Sequence, residues 1–258
     1  MTVKRNTPTL EFEEKDRCPY CGGTGTIIIT RKDEDGSIKE FGRECERCKI
    51  KRFTKESGIP ADFRGEKIPD FDFGRYRDQK KAEQLQSIAV EMVMKYAEEW
   101  KPNGYSLYLW SNTTGSGKTY LACCIANELL NEYCERVRFI TAPDYLAAVE
   151  AAQKREAGTE DRSKKYMEAE ILILDDLGAQ RKSEWAEEKM FGLINRRMED
   201  KKVTIFTSNM HPSDLGMNNR LVDRIVKMSH TIVQMPEEPI RYNKAVEEQS
   251  AFIENVLN

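Results

Sequence analysis

The chain has 258 residues with 41 lysines and arginines against 44 aspartates and glutamates, which gives a formal net charge of -3. This length accommodates one medium α/β domain and a small module, and the near-neutral charge limits any nucleic-acid contact to a local patch. The first residues contain no apolar signal core, and no segment reaches the ~18 apolar residues of a membrane span. We therefore expect a cytoplasmic protein without membrane contact.

Four of the seven cysteines form two closely spaced pairs, and 23 residues separate the pairs. In a reducing compartment this spacing indicates metal ligation more than disulfides, with chance pairing of packed cysteines as the alternative. The intervening residues predict a β hairpin that would bring the pairs together. The run CPYCGGTG also resembles half of a DnaJ-type zinc repeat, although the sequence contains one such repeat alone. We predict Zn²⁺ held by the thiolates of Cys18, Cys21, Cys45 and Cys48.

Residues 105–130, YSLYLWSNTTGSGKTYLACCIANELL, combine an apolar strand, a glycine-bearing turn and a helical pattern. Backbone N–H groups of such a turn can bind phosphate oxygens, Lys118 can contact the β and γ phosphates, and the Thr119 hydroxyl can ligate Mg²⁺. The turn, residues 112–119, is therefore a predicted phosphate loop, with a flexible surface turn as the alternative. The residues predicted to contact the nucleotide are Thr114, Gly115, Ser116, Gly117, Lys118, Thr119 and Tyr120.

The full phosphate-loop pattern has a glycine where this chain has Asn112. Asparagine adopts left-handed backbone angles more readily than most residues, so we expect it to replace the glycine by taking that conformation.

Two further apolar runs predict strands that end at polar side chains. Residues 171–174 are followed by Asp175 and Asp176, and the strand predicted at residues 203–209 has Asn209 as its last residue. The carboxyl ends of parallel strands lie at the edge of the sheet where ligands bind. We therefore predict that Asp175 binds Mg²⁺, that Asp176 polarises the attacking water, and that Asn209 orients the water or the γ phosphate. An exposed turn is the alternative for the aspartate pair taken alone.

The runs GSGKT, LILDDLG, TIFTSN and NNRLVDRI occur in the order and approximate spacing of AAA+ ATPases, and more narrowly resemble helicase loaders of the DnaC and DnaI type. The resemblance implies a P-loop domain of the α/β class with a five-stranded parallel sheet of order 5-1-4-3-2. It also implies that an arginine finger lies at Arg224, with Arg220 less favoured and an ordinary ion pair with an acid such as Asp223 as the alternative. The implied catalytic set is Lys118, Asp175, Asp176, Asn209 and Arg224.

The organisation predicted for the chain has three parts: a zinc-ribbon-like partner-interaction module at 1–57, a linker at 58–78 and an AAA+ ATPase domain at 79–258. Aromatic residues in the linker, Phe71 and Phe73, are expected to border the adenine. The residues after the last predicted strand are too few for a full C-terminal helical lid. Many AAA+ proteins supply a second sensor arginine from such a lid, and Arg241 is the sole candidate here, with an ordinary exposed arginine as the alternative.

A long polar stretch separates the second and third strands of the ATPase domain. The loader family places an extra helical element here, which lines a channel for single-stranded DNA. The resemblance therefore implies DNA contacts in this stretch, with solvated helix charges as the alternative. The residues concerned are Lys154, Arg155, Arg162, Lys164 and Lys165.

The resemblance implies an ATP-dependent helicase loader in DNA replication, with ATP, Mg²⁺ and Zn²⁺ as cofactors. Its partners would be a replicative hexameric helicase, single-stranded DNA and further copies of itself through the AAA+ interface. Hydrolysis is expected to be slow, because Asp176 stands where many AAA+ enzymes have the longer glutamate. Two alternatives remain: a helicase adaptor or inhibitor that uses ATP as a switch without hydrolysis, and an IstB-type transposition helper ATPase.

Overall fold

The structure is a computed structural model that describes residues 18–32, 36–154, 163–181, 183–242, 246, 249–250 and 252. The chain divides into two compact units, the first ending at Arg52 and the second beginning at Phe53. None of the helices in these ranges combines the length and the apolar character that crossing a bilayer requires.

The first unit contains the predicted hairpin. Strand β1, Thr26–Lys32, pairs antiparallel with strand β2, Ile38–Glu44, and helix α1, Glu46–Glu56, follows. Nearly every residue of the two strands is exposed. A two-stranded hairpin in water is marginally stable by itself, so this unit requires further stabilisation. The cysteines at the base of the hairpin are placed to supply it by binding a metal ion.

The second unit is built on a parallel sheet of five strands in the order β4-β5-β6-β3-β7. Numbered within this unit alone and taken from the other edge, the order is 5-1-4-3-2, so the predicted fold class and strand order are confirmed. The strands are β3 Ser106–Trp110, β4 Val137–Thr141, β5 Ile171–Asp175, β6 Val203–Ser208 and β7 Ser229–Gln234.

The central strands of this sheet are almost wholly buried, as the continuous apolar runs of a parallel sheet predict. Helices cover the sheet, and a π-helical turn at Tyr96–Trp100 joins two of them. The helices are α2 Gln79–Met94, α3 Lys101–Asn103, α4 Lys118–Tyr133, α5 Ala142–Gln153, α6 Lys164–Glu168, α7 Glu184–Glu199 and α8 Asn219–Met228. Short 3-10 turns lie at Ala61–Phe63, Ile68–Asp70, Phe73–Arg75 and Pro212–Asp214.

Residues 58–78, for which we expected a linker, lie in the second unit. Their apolar side chains are buried there: Ile59 and Tyr76 each expose 1% of their surface and Phe71 exposes 3%. The proline, glycine and aspartate residues of this segment indicated a linker between domains, but its aromatic side chains are part of the core of the second unit. We call residues 71–76 the aromatic segment.

The buried guanidinium of Arg197 ties helix α7 to the sheet and to the residues around the end of α6. Its Nη1 donates to the carbonyl oxygens of Tyr166 and Ala169, both at 2.8 Å. Its Nη2 donates to the Val203 carbonyl at 2.6 Å, and its Nε donates to Thr204 Oγ1 at 2.9 Å. Burial lowers the pKa of Arg197 to about 9. These bonds fix the end of the polar stretch between β4 and β5.

Candidate functional site

The phosphate loop connects β3 to α4 and depends on its glycines. Gly115 and Gly117 have φ angles of 77° and 93°, a region that residues with side chains rarely adopt. A Cβ added at Gly117 would also lie 3.0 Å from Phe71 Cζ and 3.1 Å from Tyr76 Oη. Tyr76 Oη donates to the Ser116 carbonyl at 2.6 Å. A side chain at Gly117 would therefore strain the loop and displace the aromatic segment beside it.

The ammonium group of Lys118 folds back over this loop. Its Nζ donates to the carbonyl oxygens of Ser111 at 3.3 Å and Thr113 at 3.1 Å, and to Ser116 Oγ at 3.2 Å. Helix α4 begins at Lys118 with Gly117 as its N-cap, so the unpaired N–H groups of its first turn lie at the same place. A glycine turn, a helix N-terminus and a buried ammonium group together make a binding site for phosphate.

The carboxylate of Asp175, at the end of β5, is held by two hydroxyl groups. Thr119 Oγ1 donates to Asp175 Oδ1 at 2.8 Å, and Thr207 Oγ1 donates to the same oxygen at 2.6 Å. Burial raises the pKa of Asp175, and the hydrogen bonds from Thr207 and Thr119 act in the opposite direction. The structure thus brings together Thr119 and Asp175, the two residues predicted to ligate Mg²⁺, and adds Thr207, which lies in the TIFTSN run but was not predicted as a site residue.

The next residue, Asp176, has a positive φ of 53°. Its backbone N–H donates to Thr207 Oγ1 at 3.0 Å, and the N–H of Leu177 donates to the Thr207 carbonyl at 2.8 Å. The turn after β5 is therefore fastened to β6. Burial lowers the pKa of Lys118, while the nearby carboxylates, that of Asp176 foremost, act in the opposite direction.

Two further predicted site residues, Asn209 and Tyr120, lie at the end of β6 and in the first turn of α4. Asn209 directly follows β6, whose last residue, Ser208, accepts a hydrogen bond of 3.2 Å from the N–H of Ser111 before the phosphate loop. The Tyr120 hydroxyl donates to Glu66 Oε2 at 3.0 Å, and its ring lies 5.3 Å from that of Phe71. Tyr120 thus joins α4 to the segment that precedes α2.

Residues after β7 also reach the phosphate loop. The N–H of Arg241 donates to the Gly115 carbonyl at 3.1 Å, although the side chain is exposed. The carboxylate of Glu237 accepts from the N–H of Asn112 at 3.0 Å and from Thr113 Oγ1 at 2.7 Å. Partial burial acts to raise the pKa of Glu237, but its hydrogen bonds lower it to about 2. Sequence reasoning missed Glu237, because no motif contains it.

The two arginines of α8 differ in their surroundings. Arg224 Nε donates to Asn195 Oδ1 at 3.1 Å, and its Nη1 pairs with Asp223 Oδ2 at 3.0 Å. The guanidinium also lies 5.9 Å from the centre of the Phe191 ring. Arg220 is exposed and lines a cavity of about 320 Å³ between the starts of α7 and α8. The ion pair with Asp223 is thus present within one chain.

Of the residues predicted to contact DNA, three lie in the described part of the chain, and all three are exposed. Lys154 follows α5 and pairs with Glu150 at 2.6 Å. Lys164 and Lys165 lie in α6, with Lys165 Nζ 4.9 Å from the centre of the Tyr166 ring. The other two, Arg155 and Arg162, lie outside the described residues.

The cysteine cluster, Cys18, Cys21, Cys45 and Cys48, forms at the base of the hairpin. Its four Sγ atoms all lie within 4.8 Å of one another. Cys18 Sγ lies 3.7 Å from Cys45 Sγ, and Cys21 Sγ lies 3.4 Å from Cys48 Sγ. Four thiolates around tetrahedral zinc, at a Zn–S distance of ~2.3 Å, are ~3.8 Å apart. The cluster therefore fits one Zn²⁺ without rearrangement of the hairpin.

Comparison with known proteins gives a match to the family described as IstB-like ATP binding protein, over residues 43–248. The replicative helicase loader DnaC of Escherichia coli strain K12 is 26% identical over 207 residues, which are 78% of this chain and 80% of that protein. A crystal structure of the DnaC helicase loader is similar in fold, with a TM-score of 0.59 at 19% identity over 68% of this chain and 99% of that chain.

A structure of the replication initiator DnaA bound to AMPPCP and single-stranded DNA is also similar, with a TM-score of 0.55 at 22% identity over 69% of this chain and 50% of that chain. The family match contains the phosphate loop, both aspartates at the end of β5 and helix α8.

Proposed function

Because the chain belongs to the IstB-like ATP binding protein family, we propose that it is a helicase loader that uses ATP in DNA replication. The observation that carries the proposal is the contact of Thr119 with Asp175, beside a phosphate loop that Lys118 closes. This site lies in a chain whose similarity to the DnaC loader extends over 80% of that protein. We place its action in the cytoplasm, where a bacterial replicative helicase works.

The residues of the site have distinct parts in ATP hydrolysis. Lys118 and the first turn of α4 hold the phosphates. The Thr119 hydroxyl and the Asp175 carboxylate would hold Mg²⁺, which would supply positive charge to neutralise the phosphates. Asp176 polarises the attacking water, and Asn209 orients it. The distance of 2.8 Å between Thr119 Oγ1 and Asp175 Oδ1 supports this assignment, because two ligands of one Mg²⁺ lie about that far apart.

Hydrolysis by this site is slow unless DNA or assembly stimulates it. The Asp176 carboxylate is one methylene shorter than the glutamate of many AAA+ enzymes, and its backbone is fixed in a left-handed conformation by Thr207. The same observation favours a second candidate function, a helicase adaptor or inhibitor in which ATP acts as a switch alone. Steady hydrolysis that single-stranded DNA stimulates would select the loader, and ATP binding without turnover would select the adaptor.

The first unit is assigned to the protein partner, a replicative hexameric helicase. Its hairpin exposes Ile28, Ile38 and Phe41 by 68%, 70% and 50%, and Tyr20 beside the cysteines by 67%. Ile28 and Ile38 lie on one face of the hairpin and Phe41 on the other, so both faces offer apolar side chains to a partner. A zinc ion on the cysteine cluster would keep these strands in register for the contact.

Single-stranded DNA is assigned to the second unit. The exposed ammonium groups of Lys154, Lys164 and Lys165 would contact phosphates, together with Arg155 and Arg162 of the same stretch. Self-association would place Arg224 of one copy at the nucleotide of the next. The assignment of DNA to this unit is supported by its fold, which is similar to that of the DnaA structure with AMPPCP and single-stranded DNA.

Capture of binding partners from the native extract tests the proposed function. The full chain and its Lys118→Ala variant are used as baits, each with and without ATP. We expect a replicative helicase to be retained by the parent chain, with an ATP dependence that Lys118→Ala abolishes. A transposase in place of the helicase would favour an IstB-type transposition helper, and retention of neither would contradict the loader function.

A further inference from the structure

The phosphate loop departs from the full pattern at its first residue, Asn112, and the expected explanation is wrong. Among the described residues other than glycine, a positive φ occurs at Cys134, Asp176 and Lys201. Asn112 does not take the left-handed conformation, so it does not replace a glycine in that way. Its backbone N–H is instead bound by a carboxylate from a distant part of the chain.

That carboxylate, of Glu237, uses both of its oxygen atoms. Oε1 accepts from the N–H of Asn112 at 3.0 Å and from Gln234 Nε2 at 3.1 Å, while Oε2 accepts from Thr113 Oγ1 at 2.7 Å. The sheet places Glu237 there, because β7 pairs with β3 and the N–H of Met235 donates to the Trp110 carbonyl at 2.8 Å. Glu237 follows Met235 by two residues and therefore lies next to Asn112, at the start of the phosphate loop.

We propose that Glu237 positions the first two residues of the phosphate loop and, through Thr113, the ammonium group of Lys118. The hydroxyl of Thr113 donates to Glu237, and the carbonyl of the same residue accepts from Lys118 Nζ at 3.1 Å. Glu237 is therefore a positioning residue that acts on the nucleotide through its neighbours. The inference rests on nucleotide binding at this loop, and it is independent of the helicase and DNA partners in the proposed function.

The negative charge of Glu237 has two opposed effects on ATP. Charge strengthens the hydrogen bonds that hold the loop, since bonds to an ionised acceptor are roughly twice as strong as neutral ones. Charge also repels phosphate, which screening weakens because the side chain is exposed. Direct bonds at 2.7 and 3.0 Å outweigh a screened repulsion, so the net effect favours ATP binding.

Glu237→Gln removes the negative charge, so its affinity for ATP shows which of the two effects is larger. The carboxamide oxygen can still accept from the Asn112 N–H, and the NH₂ group can donate to the Thr113 hydroxyl, so both contacts remain as neutral hydrogen bonds, roughly half as strong as those to a carboxylate. We expect Glu237→Gln to raise the dissociation constant for ATP about tenfold, the order expected when charge-assisted hydrogen bonds become neutral ones. The melting temperature without nucleotide should change little, because the side chain is exposed.

The experiment is calorimetric titration of the full chain with ATP and Mg²⁺, with no helicase or DNA present. Thr113→Val and the variant with both changes complete a double-mutant cycle. The double variant should bind ATP as tightly as the single variant with the lower affinity, because both changes act on the same contact. Glu238→Gln is the matched control, because that carboxylate accepts from the Arg77 N–H at 2.8 Å, outside the phosphate loop. We expect it to bind ATP like the parent.

Three results would overturn the positioning role: parental or tighter ATP binding by Glu237→Gln, additive losses in the cycle, or an equal loss in Glu238→Gln. Each leaves nucleotide binding by the parent intact, so the proposed function would stand. No ATP binding by the parent chain would overturn both.

Discussion

The hydroxyl of Thr207 donates a hydrogen bond of 2.6 Å to Oδ1 of Asp175. The same hydroxyl accepts a bond of 3.0 Å from the N–H of Asp176, so one side chain positions both aspartates at the end of β5. Thr207 is fully buried and lies two residues before Asn209 in the chain. The strand that Asn209 follows therefore also sets the geometry of Asp175, the predicted Mg²⁺ ligand.

Replacement of Thr207 should impair turnover more than nucleotide binding. Thr207→Val keeps the shape but leaves the Asp176 N–H without its acceptor, which costs about 1 to 3 kcal/mol of stability. We expect turnover to fall about tenfold and ATP affinity to change less than threefold. Thr207→Ser, which keeps the hydroxyl, should restore most of the turnover. Steady-state hydrolysis and ATP titration check this; a serine variant as impaired as the valine variant would contradict it.

Lys118→Ala and Asp176→Asn should separate binding from chemistry. Lys118 is placed to contact phosphate directly, so its loss should weaken ATP binding at least tenfold. Asparagine at position 176 cannot accept a proton from water, so that variant should bind ATP normally and hydrolyse it at least a hundredfold more slowly. Titration and single-turnover hydrolysis measure the two effects. Parental hydrolysis by Asp176→Asn would show that Asp176 does not activate the water.

The purified chain should contain one zinc ion on the cysteine cluster. Cys18→Ser should loosen the metal, and the paired change of Cys45→Ser with Cys48→Ser should remove it, because thiolate ligands are lost. Cys134→Ser is the control, since that thiol lies outside the cluster. Metal analysis of protein prepared without chelator gives the result. Full zinc retention by the paired variant would refute the assignment.

Arg224 should act on the nucleotide of a neighbouring copy. Arg224→Ala is expected to keep ATP affinity and lose assembly-dependent hydrolysis, because a guanidinium supplied in trans stabilises charge on the transferring phosphoryl group. Asp223→Asn removes the ion pair within the chain and should leave that hydrolysis in place. Mixing Arg224→Ala with excess Lys118→Ala protein should restore turnover. Absence of rescue in demonstrated mixed assemblies would contradict a role in trans.

The parts of the site that lie within one motif could be predicted from the sequence. The apolar run of β3, the glycines and Lys118 specify strand, loop and helix locally. The contact of Thr119 with Asp175 joins residues 56 positions apart, and parallel strand ends at one sheet edge are sufficient to predict it.

The remaining parts depend on register and packing. Thr207 lies within an apolar strand, where a threonine indicates β structure and nothing about the residue opposite it. Glu237 follows the last strand, and its contact with Asn112 exists because β7 pairs with β3 in one register. Residues 58–78 have the composition of a linker, yet their aromatic side chains find a buried surface that composition does not reveal.

Delivery of a replicative helicase to single-stranded DNA can be measured in one assay. Purified helicase is mixed with closed circular single-stranded DNA and the full chain, and the helicase retained on the circles is quantified with ATP, without ATP, and with Lys118→Ala in place of the parent. We predict that the parent chain with ATP raises the retained helicase well above all other conditions. Equal retention with Lys118→Ala, or with no chain added, would contradict an ATP-dependent helicase loader.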